Sequence, residues 1–492
     1  MNKLLPFAAA ALALPAALHA SPAGDAATYL ERIAALDDAG PALDAVIAVN
    51  PGAPAEAAAA AGLPLAGRTV LVKDNVETRE WPTTAGSLAL KDNMTGRDAP
   101  LVARLRAAGG VVLGKTNLSE WANIRSGNST SGWSAVGGLT RNPHATDRNA
   151  CGSSSGSGAA VAAGLAWAAI GTETDGSITC PASINGIVGF KPTVGLVSRT
   201  HVVPISASQD TAGPMARTVA DAALLLGAIA GSDPADPATA EADAHLADFT
   251  AGLAGASLAG MRIGVLRKQA GNDPRVSEVF DAALADLARA GAELVEIDFE
   301  IPPTMGTGEI AVLLHELRRD LGAYLAGSPA DIPVRSLADV IAFNRAHAAA
   351  EMRWFGQELF EAAEKATDED AYAKAREESL RLAGAEGIDR LLAENRVALL
   401  VAPTVGPAWT TDLVNGAHYN GSIGAGSLAA VAGYPHLTVP MGAVETLPVG
   451  LSFIGPKWAD STVLRAGAAY ERARTAALAQ PSLQRWAPAA GK

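Results

Sequence analysis

The serine- and glycine-rich segment 151–158 is the part of the sequence best suited to chemistry. It reads Cys-Gly-Ser-Ser-Ser-Gly-Ser-Gly, and the small residues after it predict a helix over 159–164. Glycines let backbone N–H groups converge and a helix N-terminus adds positive potential, so such a loop can hold an anion or a polar network. A flexible serine-glycine linker is disfavoured, because the Ala- and Val-rich segments that follow are typical of buried structure.

A further serine, Ser177, follows a predicted buried strand over 165–170 and the dipeptide Asp175-Gly176. A tight turn at this dipeptide would expose the Ser177 hydroxyl just past the end of the strand. The consecutive backbone N–H groups of Thr174, Asp175, Gly176 and Ser177 are then candidates to hold a developing oxyanion. The pattern therefore predicts a nucleophilic serine beside its own oxyanion hole.

A serine nucleophile needs a base, and the nearest histidines, His144 and His201, lie in predicted loops without a convincing acid partner. A lysine serves instead when burial lowers its pKa enough to supply the neutral amine. Lys73 follows a predicted buried strand over 69–72, and strand ends are where sites gather in α/β proteins. Taken alone it is an ordinary strand-end lysine, and only its combination with the two serine loops makes it a candidate.

These segments together resemble the amidase signature family, and the resemblance covers nearly the whole mature chain. The matching blocks are the serine-glycine segment at 151–158, Asp-Gly-Ser-Ile at 175–178, Lys-Pro-Thr at 191–193, Lys-Asp-Asn at 73–75 and Gly-Lys-Thr-Asn-Leu-Ser-Glu at 114–120. Two features depart from the family pattern: Cys151 stands where glycine is frequent, and Asp175-Gly176 where many members have Gly-Gly. Both departures are similar to the bacterial peptide amidase branch, as are the segments 120–123, 131–134 and 208–211.

The resemblance implies roles for three residues: Lys73 as the base, Ser153 as the bridge and Ser177 as the nucleophile. Neutral Lys73 takes a proton from Ser153, which takes one from Ser177, whose Oγ attacks an amide carbonyl. The backbone N–H groups of residues 174–177 hold the oxyanion, ammonia leaves, and water hydrolyses the acyl-enzyme. This implied mechanism uses neither a metal nor an organic cofactor.

The resemblance also implies the substrate, which would be the C-terminal amide of a peptide, hydrolysed to acid and ammonia. A general aliphatic, aryl or fatty-acid amidase is the alternative within the family. A catalytically inactive amide-binding protein on the same fold is the alternative from another class. Trp121, Trp133 and Tyr434 are candidates to line the substrate pocket.

Two further motif matches point to other chemistries. Residues 109–116 spell the phosphate-binding pattern G-x-x-x-x-G-K-T, but that loop must follow a strand, whereas here a helix is predicted before it. Residues 152–156 match the G-x-S-x-G nucleophile elbow, with Ser154 at its centre. The other triad members would then be Asp210 with His418 or His436. No other feature of the sequence supports either interpretation.

Helices and strands that alternate along the chain predict an α/β fold. A β-α-β unit is predicted over 261–297, residues 308–397 are predominantly helical in pattern, and a last helix is predicted over 462–478. No long linker separates independent domains. We therefore expect one large amidase domain over residues 21–492, with the mixed central β-sheet covered by helices on both faces that the resemblance implies.

The N-terminus is typical of a secretory signal peptide. Lys3 precedes an apolar run over 4–14, and small residues near Ala20 offer a cleavage site, with Ala23 as the alternative. This run of 11 residues is much shorter than the roughly 20 apolar residues of a spanning helix. The sequence predicts a signal peptide over 1–20 and export to the periplasm or the medium, without a membrane anchor after cleavage.

Net charge bears on the binding partners of the protein, and cysteine content bears on metal sites and disulfides. The formal net charge is -13 and no basic stretch occurs, which argues against a nucleic-acid partner. Cys151 and Cys180 are the two cysteines, and without clustered histidines they do not predict a zinc site. An oxidising compartment would permit a bridge between them, but sequence separation does not decide between one bridge and two free thiols.

Overall fold

The computed structural model describes residues 22–478 and 480–488 of the chain. The predicted signal peptide, residues 1–20, lies outside the described residues. Within the described part of the chain, no helix combines the length and the apolar character that crossing a membrane requires.

Strands occur along most of the chain, and in the described residues eleven of the fifteen form one large sheet. In chain order the strands are β1 (Val46–Val49), β2 (Thr69–Lys73), β3 (Val111–Thr116), β4 (Trp133–Ser134), β5 (Gly138–Leu139), β6 (Arg141–Asn142), β7 (Ala145–Asn149), β8 (Ala168–Glu173), β9 (Val188–Lys191), β10 (Thr211–Ala216), β11 (Arg262–Val265), β12 (Glu293–Glu296), β13 (Leu399–Pro403), β14 (His436–Val444) and β15 (Leu447–Ile454).

The order across the large sheet is β1-β3-β2-β8-β10-β9-β14-β15-β13-β11-β12, and β4–β5 and β6–β7 form separate pairs. Strand β2 runs parallel to both β3 and β8, and β11 runs parallel to β12 and β13. The remaining neighbours are antiparallel. The predicted mixed sheet within one domain is confirmed.

Helices flank this sheet, and most lie between consecutive strands. They are α1 (Pro22–Arg32), α2 (Ala53–Ala59), α3 (Pro100–Ala107), α4 (Ser155–Ala162), α5 (Thr179–Ile184), α6 (Val219–Ile229), α7 (Ala242–His245), α8 (Pro274–Arg289), α9 (Pro303–Gly327), α10 (Leu337–Ala346), α11 (Ala348–Glu351), α12 (Glu358–Ala363), α13 (Glu369–Leu380), α14 (Arg390–Asn395), α15 (Gly426–Ala432) and α16 (Asp460–Ala473). Short 3₁₀ and π segments occupy Ile33–Asp37, Leu88–Leu90, Glu120–Asn123, Pro237–Thr239, Arg267–Ala270 and Arg381–Asp389.

Helix α8 illustrates how local sequence positions these elements. Asp273 accepts a hydrogen bond from the backbone N–H of Arg275, and Pro274 occupies the first turn, where its missing N–H costs nothing. Val276, Phe280 and Leu287 recur at helical spacing and are buried in the main core. The predicted β-α-β unit is therefore confirmed as β11-α8-β12.

Some elements differ from the sequence predictions. Strand β1 lies between helices α1 and α2, in an Ala-rich segment whose composition is typical of helix. The last helix ends at Ala473 rather than near residue 478, because the backbone of Arg474 is extended. The strands β2, β3 and β8, whose ends hold the site, are buried along their whole length.

Candidate active site

Lys73 is the last residue of β2, and its side chain is fully buried where β2 lies beside β8. Its Nζ lies 2.7 Å from Ser153 Oγ, 2.8 Å from Thr172 Oγ1 and 3.2 Å from the Thr172 carbonyl oxygen. Asn75 Nδ2 donates to the same Thr172 hydroxyl at 2.9 Å. Among the described residues no carboxylate forms an ion pair with Lys73, so its contacts are to neutral oxygens.

Burial lowers the pKa of Lys73 from 10.5 to about 7, against the opposing pull of the negative charges of Asp210 and Glu173. The neutral form of the amine is therefore well populated near neutral pH. A neutral amine has two N–H donors and one lone pair. A neutral Lys73 amine that donates to the two Thr172 oxygens can accept the Ser153 proton with its lone pair, as a general base requires.

Ser153 and Ser154 form the loop that enters α4, and the Gly152–Ser153 peptide bond is cis. Ser154 Oγ donates to the Thr172 carbonyl at 3.1 Å and accepts from the Thr172 N–H at 3.2 Å. The Ser153 carbonyl accepts from the N–H of Ser119 at 3.0 Å. These bonds fasten the loop to the end of β8 and leave Ser153 Oγ against Lys73.

Ser177 lies between β8 and α5, and its carbonyl oxygen accepts from the N–H of Ser154 at 3.1 Å. The Ser177 side chain is 8% exposed, and its hydroxyl is not hydrogen-bonded to any other described residue. The backbone N–H groups of residues 174–177 also have no acceptor among the described residues. The segment thus carries both donors and a hydroxyl that no described residue engages, which is what oxyanion stabilisation beside a nucleophile needs.

Neighbouring side chains fix the segment 174–177 from both ends. Thr174 Oγ1 donates to Asp210 Oδ1 at 2.6 Å, and Gln209 Nε2 donates to the Thr174 carbonyl at 3.3 Å. Beyond Ser177, the N–H groups of Ile178 and Thr179 donate to the Glu173 carboxylate at 2.7 and 2.9 Å. The turn is therefore rigidly placed before any ligand binds.

A disulfide joins Cys151 to Cys180, whose Cα atoms lie 6.0 Å apart. The two cysteines, whose state the sequence leaves open, therefore form one bridge. Cys151 precedes Ser153 by two residues and Cys180 follows Ser177 by three, so the bond ties together the two serine loops.

An open cavity of about 560 Å³ adjoins these loops. Cys151, Gly152, Asp175 and Gly176 contribute to one wall. At Gly176 the backbone φ is +77° and nothing lies within 4 Å of the position a Cβ would take, so the turn is open to the cavity. Much of the remaining lining comes from the segment 404–427, including the side chains Thr404, Val405, Trp409, Tyr419, Ile423 and Ser427.

The three aromatic residues predicted to line the substrate pocket do not reach this cavity. Trp121 is buried against Phe360, and Trp133 against Phe355, both in edge-to-face contacts. The Tyr434 hydroxyl donates to Asp389 at 2.8 Å, outside the cavity. The structure therefore does not bring Trp121, Trp133 and Tyr434 to this cavity: the first two pack in the interior, and the third is hydrogen-bonded to Asp389.

Other residues at the site were not singled out by the sequence. Thr172 contacts the Lys73 amine, and Asn75, which belongs to the Lys-Asp-Asn block, donates to the Thr172 hydroxyl. Trp409 and Tyr419, in edge-to-face contact at 4.8 Å between ring centroids, supply the aromatic surface of the cavity. They follow β13 in an irregular segment, where no periodicity marks a binding residue.

The alternative motifs do not form sites. Residues 111–116 of the phosphate-loop pattern are strand β3, so the required loop is absent from this described segment. The Ser154 hydroxyl is engaged by Thr172, and Asp210 by Thr174. His436 Nε2 lies 2.6 Å from Ser452 Oγ, so these residues do not form a catalytic triad.

A family model described as Amidase matches residues 26–464 of the chain. The chain belongs to the amidase family. The fold and the serine loops described above are thus those of an amidase, and the family resemblance inferred from the sequence blocks is confirmed.

Individual relatives are similar to this amidase over most of its length. The structure of the native peptide amidase from Stenotrophomonas maltophilia has 48% sequence identity and a TM-score of 0.88, and the match covers 94% of this chain and 95% of that one. The structure of an amidase family protein from Bacillus anthracis has 35% identity and a TM-score of 0.85, with 94% and 89% coverage. A probable amidase of Arabidopsis thaliana is 39% identical over 466 residues, 90% of this chain and 85% of that protein.

Together the family match and these relatives identify the chain as an amide-hydrolysing enzyme. Function in this family resides in the site rather than in the fold, so the substrate and the roles of single residues depend on the geometry of the site.

Proposed function

We propose that this amidase hydrolyses the C-terminal amides of peptides, with Lys73 as the base, Ser153 as the bridge and Ser177 as the nucleophile. The observation that carries the proposal is the 2.7 Å contact between Lys73 Nζ and Ser153 Oγ, in a loop bonded directly to the Ser177 backbone. The lowered pKa of Lys73 supports the same assignment, because a base must hold its lone pair free at working pH.

The reaction proceeds by acyl transfer. Lys73 takes the Ser153 proton, Ser153 takes the Ser177 proton, and Ser177 Oγ bonds to the amide carbon. The relay then returns a proton to the amide nitrogen, the C–N bond breaks, and ammonia leaves an acyl-enzyme. Water, deprotonated by the same relay, attacks the acyl carbon, and the carboxylic acid departs as Ser177 recovers its proton. The Ser153–Ser177 hydrogen bond that this transfer needs is absent among the described residues and forms when substrate binds, as catalytic hydrogen bonds often tighten only in the complex.

The backbone N–H groups of Thr174, Asp175, Gly176 and Ser177 stabilise the oxyanion of the tetrahedral intermediate. Their lack of acceptors among the described residues supports this role, because these donors are available to the substrate without breaking a bond. The rigid anchoring of the turn by Asp210 and Glu173 supports it further, since preorganised donors need no rearrangement during reaction.

The peptide amide is favoured as substrate by the similarity to the Stenotrophomonas maltophilia peptide amidase. The cavity volume of about 560 Å³ and its Trp409–Tyr419 pair suit an amide that carries a substantial, partly apolar acyl group.

We also propose that the chain is exported, on the basis of its N-terminal sequence alone. Fractionation of the producing cells and N-terminal sequencing of the mature protein test this second point.

The experiment that tests the substrate is ammonia release from three amides: an amidated dipeptide, an aryl amide and a fatty-acid amide. We expect kcat/KM to be highest for the dipeptide amide. A higher value for the aryl or the fatty amide would instead assign a general amidase. Ammonia without cleavage of the internal peptide bond, checked by mass spectrometry, distinguishes an amidase from a peptidase.

Serine variants test the residue roles. Ser177→Ala is expected to lower kcat by at least ~10⁴-fold because it removes the nucleophile. Ser153→Ala is expected to lower it by about 10²- to 10⁴-fold because it breaks proton transfer. Ser154→Ala is the matched control and should retain more than about a tenth of the activity, since that hydroxyl only fastens the loop. Equal turnover by wild type and Ser177→Ala would overturn the assignment of Ser177 as nucleophile, and no turnover by the wild type on any amide would favour an amide-binding protein without catalysis.

A further inference from the structure

Three hydrogen-bond acceptors meet on one side of the cavity: the Asp175 carboxylate, the Ser427 hydroxyl and His436 Nδ1. All three residues line the cavity. Ser427 Oγ donates its proton to Asp175 Oδ2 at 2.6 Å, so only its lone pairs remain for a ligand. A Cβ built on Gly426, the residue before Ser427, would lie 3.6 Å from His436 Nδ1. We name Asp175, Ser427 and His436 the acceptor cluster.

The hydrogen bonds of Ser452 fix the tautomer of His436. Ser452 Oγ donates its single proton to Thr404 Oγ1 at 2.9 Å, and His436 Nε2 lies 2.6 Å from the same Ser452 oxygen. Nε2 must therefore carry the proton and donate it to Ser452. Burial, with the nearby charge of Lys191, lowers the pKa of His436 to about 3, so the ring is neutral. Nδ1 is consequently a bare lone pair.

His436 Nδ1 has no partner among the described residues, although the side chain is fully buried. Leaving a buried polar atom without a partner costs free energy, and native proteins seldom do so without a reason. The atom belongs to a residue of the cavity wall, beside the Asp175–Ser427 pair. A hydrogen-bond donor in the cavity would satisfy it.

Asp175 gives this side of the cavity a negative charge. Its carboxyl is hydrogen-bonded to that of Glu309, which requires one proton between them, and Gln209 Nε2 donates to Glu309 at 2.8 Å. Burial raises the pKa of both carboxyls, and more strongly that of Glu309, so Glu309 holds the shared proton. Lys191, whose charge acts on Asp175, donates to the Pro192 carbonyl rather than to a carboxylate. Among the described lining residues, Asp175 is the one with a charged side chain at neutral pH.

We propose that the acceptor cluster is a binding subsite for an ammonium group of the substrate, supplied by a free α-amine or by a basic side chain. An ammonium group has three N–H donors and no acceptor, which matches three acceptors of which one is a carboxylate. A carboxylate ligand would meet repulsion at Asp175 and no donor from the cluster. The subsite rests on the amide hydrolysis proposed above and determines which amides are preferred.

The subsite also affects the product. Hydrolysis converts a neutral amide into a carboxylate beside the same negatively charged wall. Because like charges repel strongly in a partly buried cavity, the acceptor cluster weakens binding of the acid relative to the amide. It therefore favours release of the carboxylate product.

The test compares amides with closely matched side chains at pH 7. N-acetylnorleucinamide is uncharged, N-acetyllysinamide carries a side-chain ammonium, and norleucinamide carries a free α-ammonium. We expect kcat/KM for at least one ammonium-bearing amide to exceed that of N-acetylnorleucinamide by about tenfold, the value of one well-placed charge-assisted hydrogen bond. The compound that shows the preference identifies which amine occupies the subsite.

Variants assign the preference to the cluster. Asp175→Asn should lower the ratio of ammonium-bearing to neutral kcat/KM at least fivefold, whatever change the two substrates share. Ser427→Ala should lower the same ratio by a smaller factor, because the carboxylate loses the group that orients it. Asp298→Asn is the matched control: its side chain is 82% exposed and paired with Lys268, and the ratio should be unchanged.

The outcomes separate the two proposals. If N-acetylnorleucinamide and both ammonium-bearing amides release no ammonia, the proposed function fails. If the neutral amide is hydrolysed and neither ammonium-bearing amide is preferred, the proposed function stands and the subsite is overturned. A preference that survives in Asp175→Asn also overturns it.

Discussion

Replacing Lys73 with methionine is expected to abolish amide hydrolysis and, at neutral pH, to stabilise the fold. Methionine fills the buried volume with a flexible apolar chain and has no charge to desolvate. The pKa of Lys73 is about 7 in the folded chain, because burial disfavours its charged form, against 10.5 for an unperturbed lysine. The unfolded chain therefore binds an extra proton between these values. The wild-type protein therefore has its full stability above about pH 10.5. As the pH falls towards 7, the cost of burying Lys73 without its proton lowers this stability progressively.

The magnitude follows from this proton linkage. The cost of the depressed pKa is about 4 kcal/mol at pH 7.5 and about 1.4 kcal/mol at pH 9.5. The substitution removes this cost. The methionine side chain, however, cannot form the hydrogen bonds to Ser153 and Thr172, each worth about 1 kcal/mol. We expect Lys73→Met to be more stable than wild type by about 1 to 2 kcal/mol at pH 7.5, and less stable near pH 9.5.

Urea unfolding at the two pH values measures the stability change, and ammonia release measures the activity. Lys115→Met is the matched control, because Lys115 is equally buried on the neighbouring strand β3 but forms an ion pair with Asp74 at 2.9 Å. Its loss leaves a buried carboxylate unpaired and should cost about 3 to 5 kcal/mol at both pH values. A pH-independent destabilisation by Lys73→Met would refute the argument for a neutral buried base, as would retained activity.

Three further outcomes are expected. The kcat/KM of the wild type should rise about tenfold per pH unit below pH 7 as Lys73 loses its proton, and a flat profile between pH 5 and 7 in an ammonia assay would contradict this role. Joint replacement of Cys151 and Cys180 by serine should lower the free energy of unfolding by about 3.5 kcal/mol, measured by urea titration, for a separation of 29 residues. Tyr419→Ala should raise KM for apolar amides about tenfold, whereas Tyr434→Phe should leave KM unchanged in steady-state kinetics.

The sequence predicts the reactive part of the site because its signals are local. Lys73 and Ser177 each follow a short run of apolar residues, and the structure places these runs on the parallel neighbours β2 and β8. Parallel strands end at the same edge of a sheet, so strand patterning alone brings the two residues to one side. The choice of Ser153 over Ser154 needs the family pattern, because both are serines of one loop.

The residues that line the cavity cannot be predicted from the sequence, because contacts between distant segments bring them together. The chain has eight tryptophans, and composition does not tell a core ring such as Trp121 from a cavity ring such as Trp409. Trp409 reaches the cavity because β13 pairs with β15, which places the following segment over the serine loops. The acceptor cluster likewise joins residues 175, 427 and 436, whose proximity no spacing rule reveals.

The bond between Cys151 and Cys180 changes the covalent topology of the three residues proposed to be catalytic. It closes a ring of backbone that contains both Ser153 and Ser177, whereas Lys73 lies outside the ring. A protease that cuts one peptide bond inside the ring leaves both serines attached to both halves of the chain, because the sulfur bridge offers a second path. A single cut between residues 73 and 151 separates the lysine from the serines. The proposed nucleophile and bridge are therefore tethered by two covalent paths, and the proposed base by one.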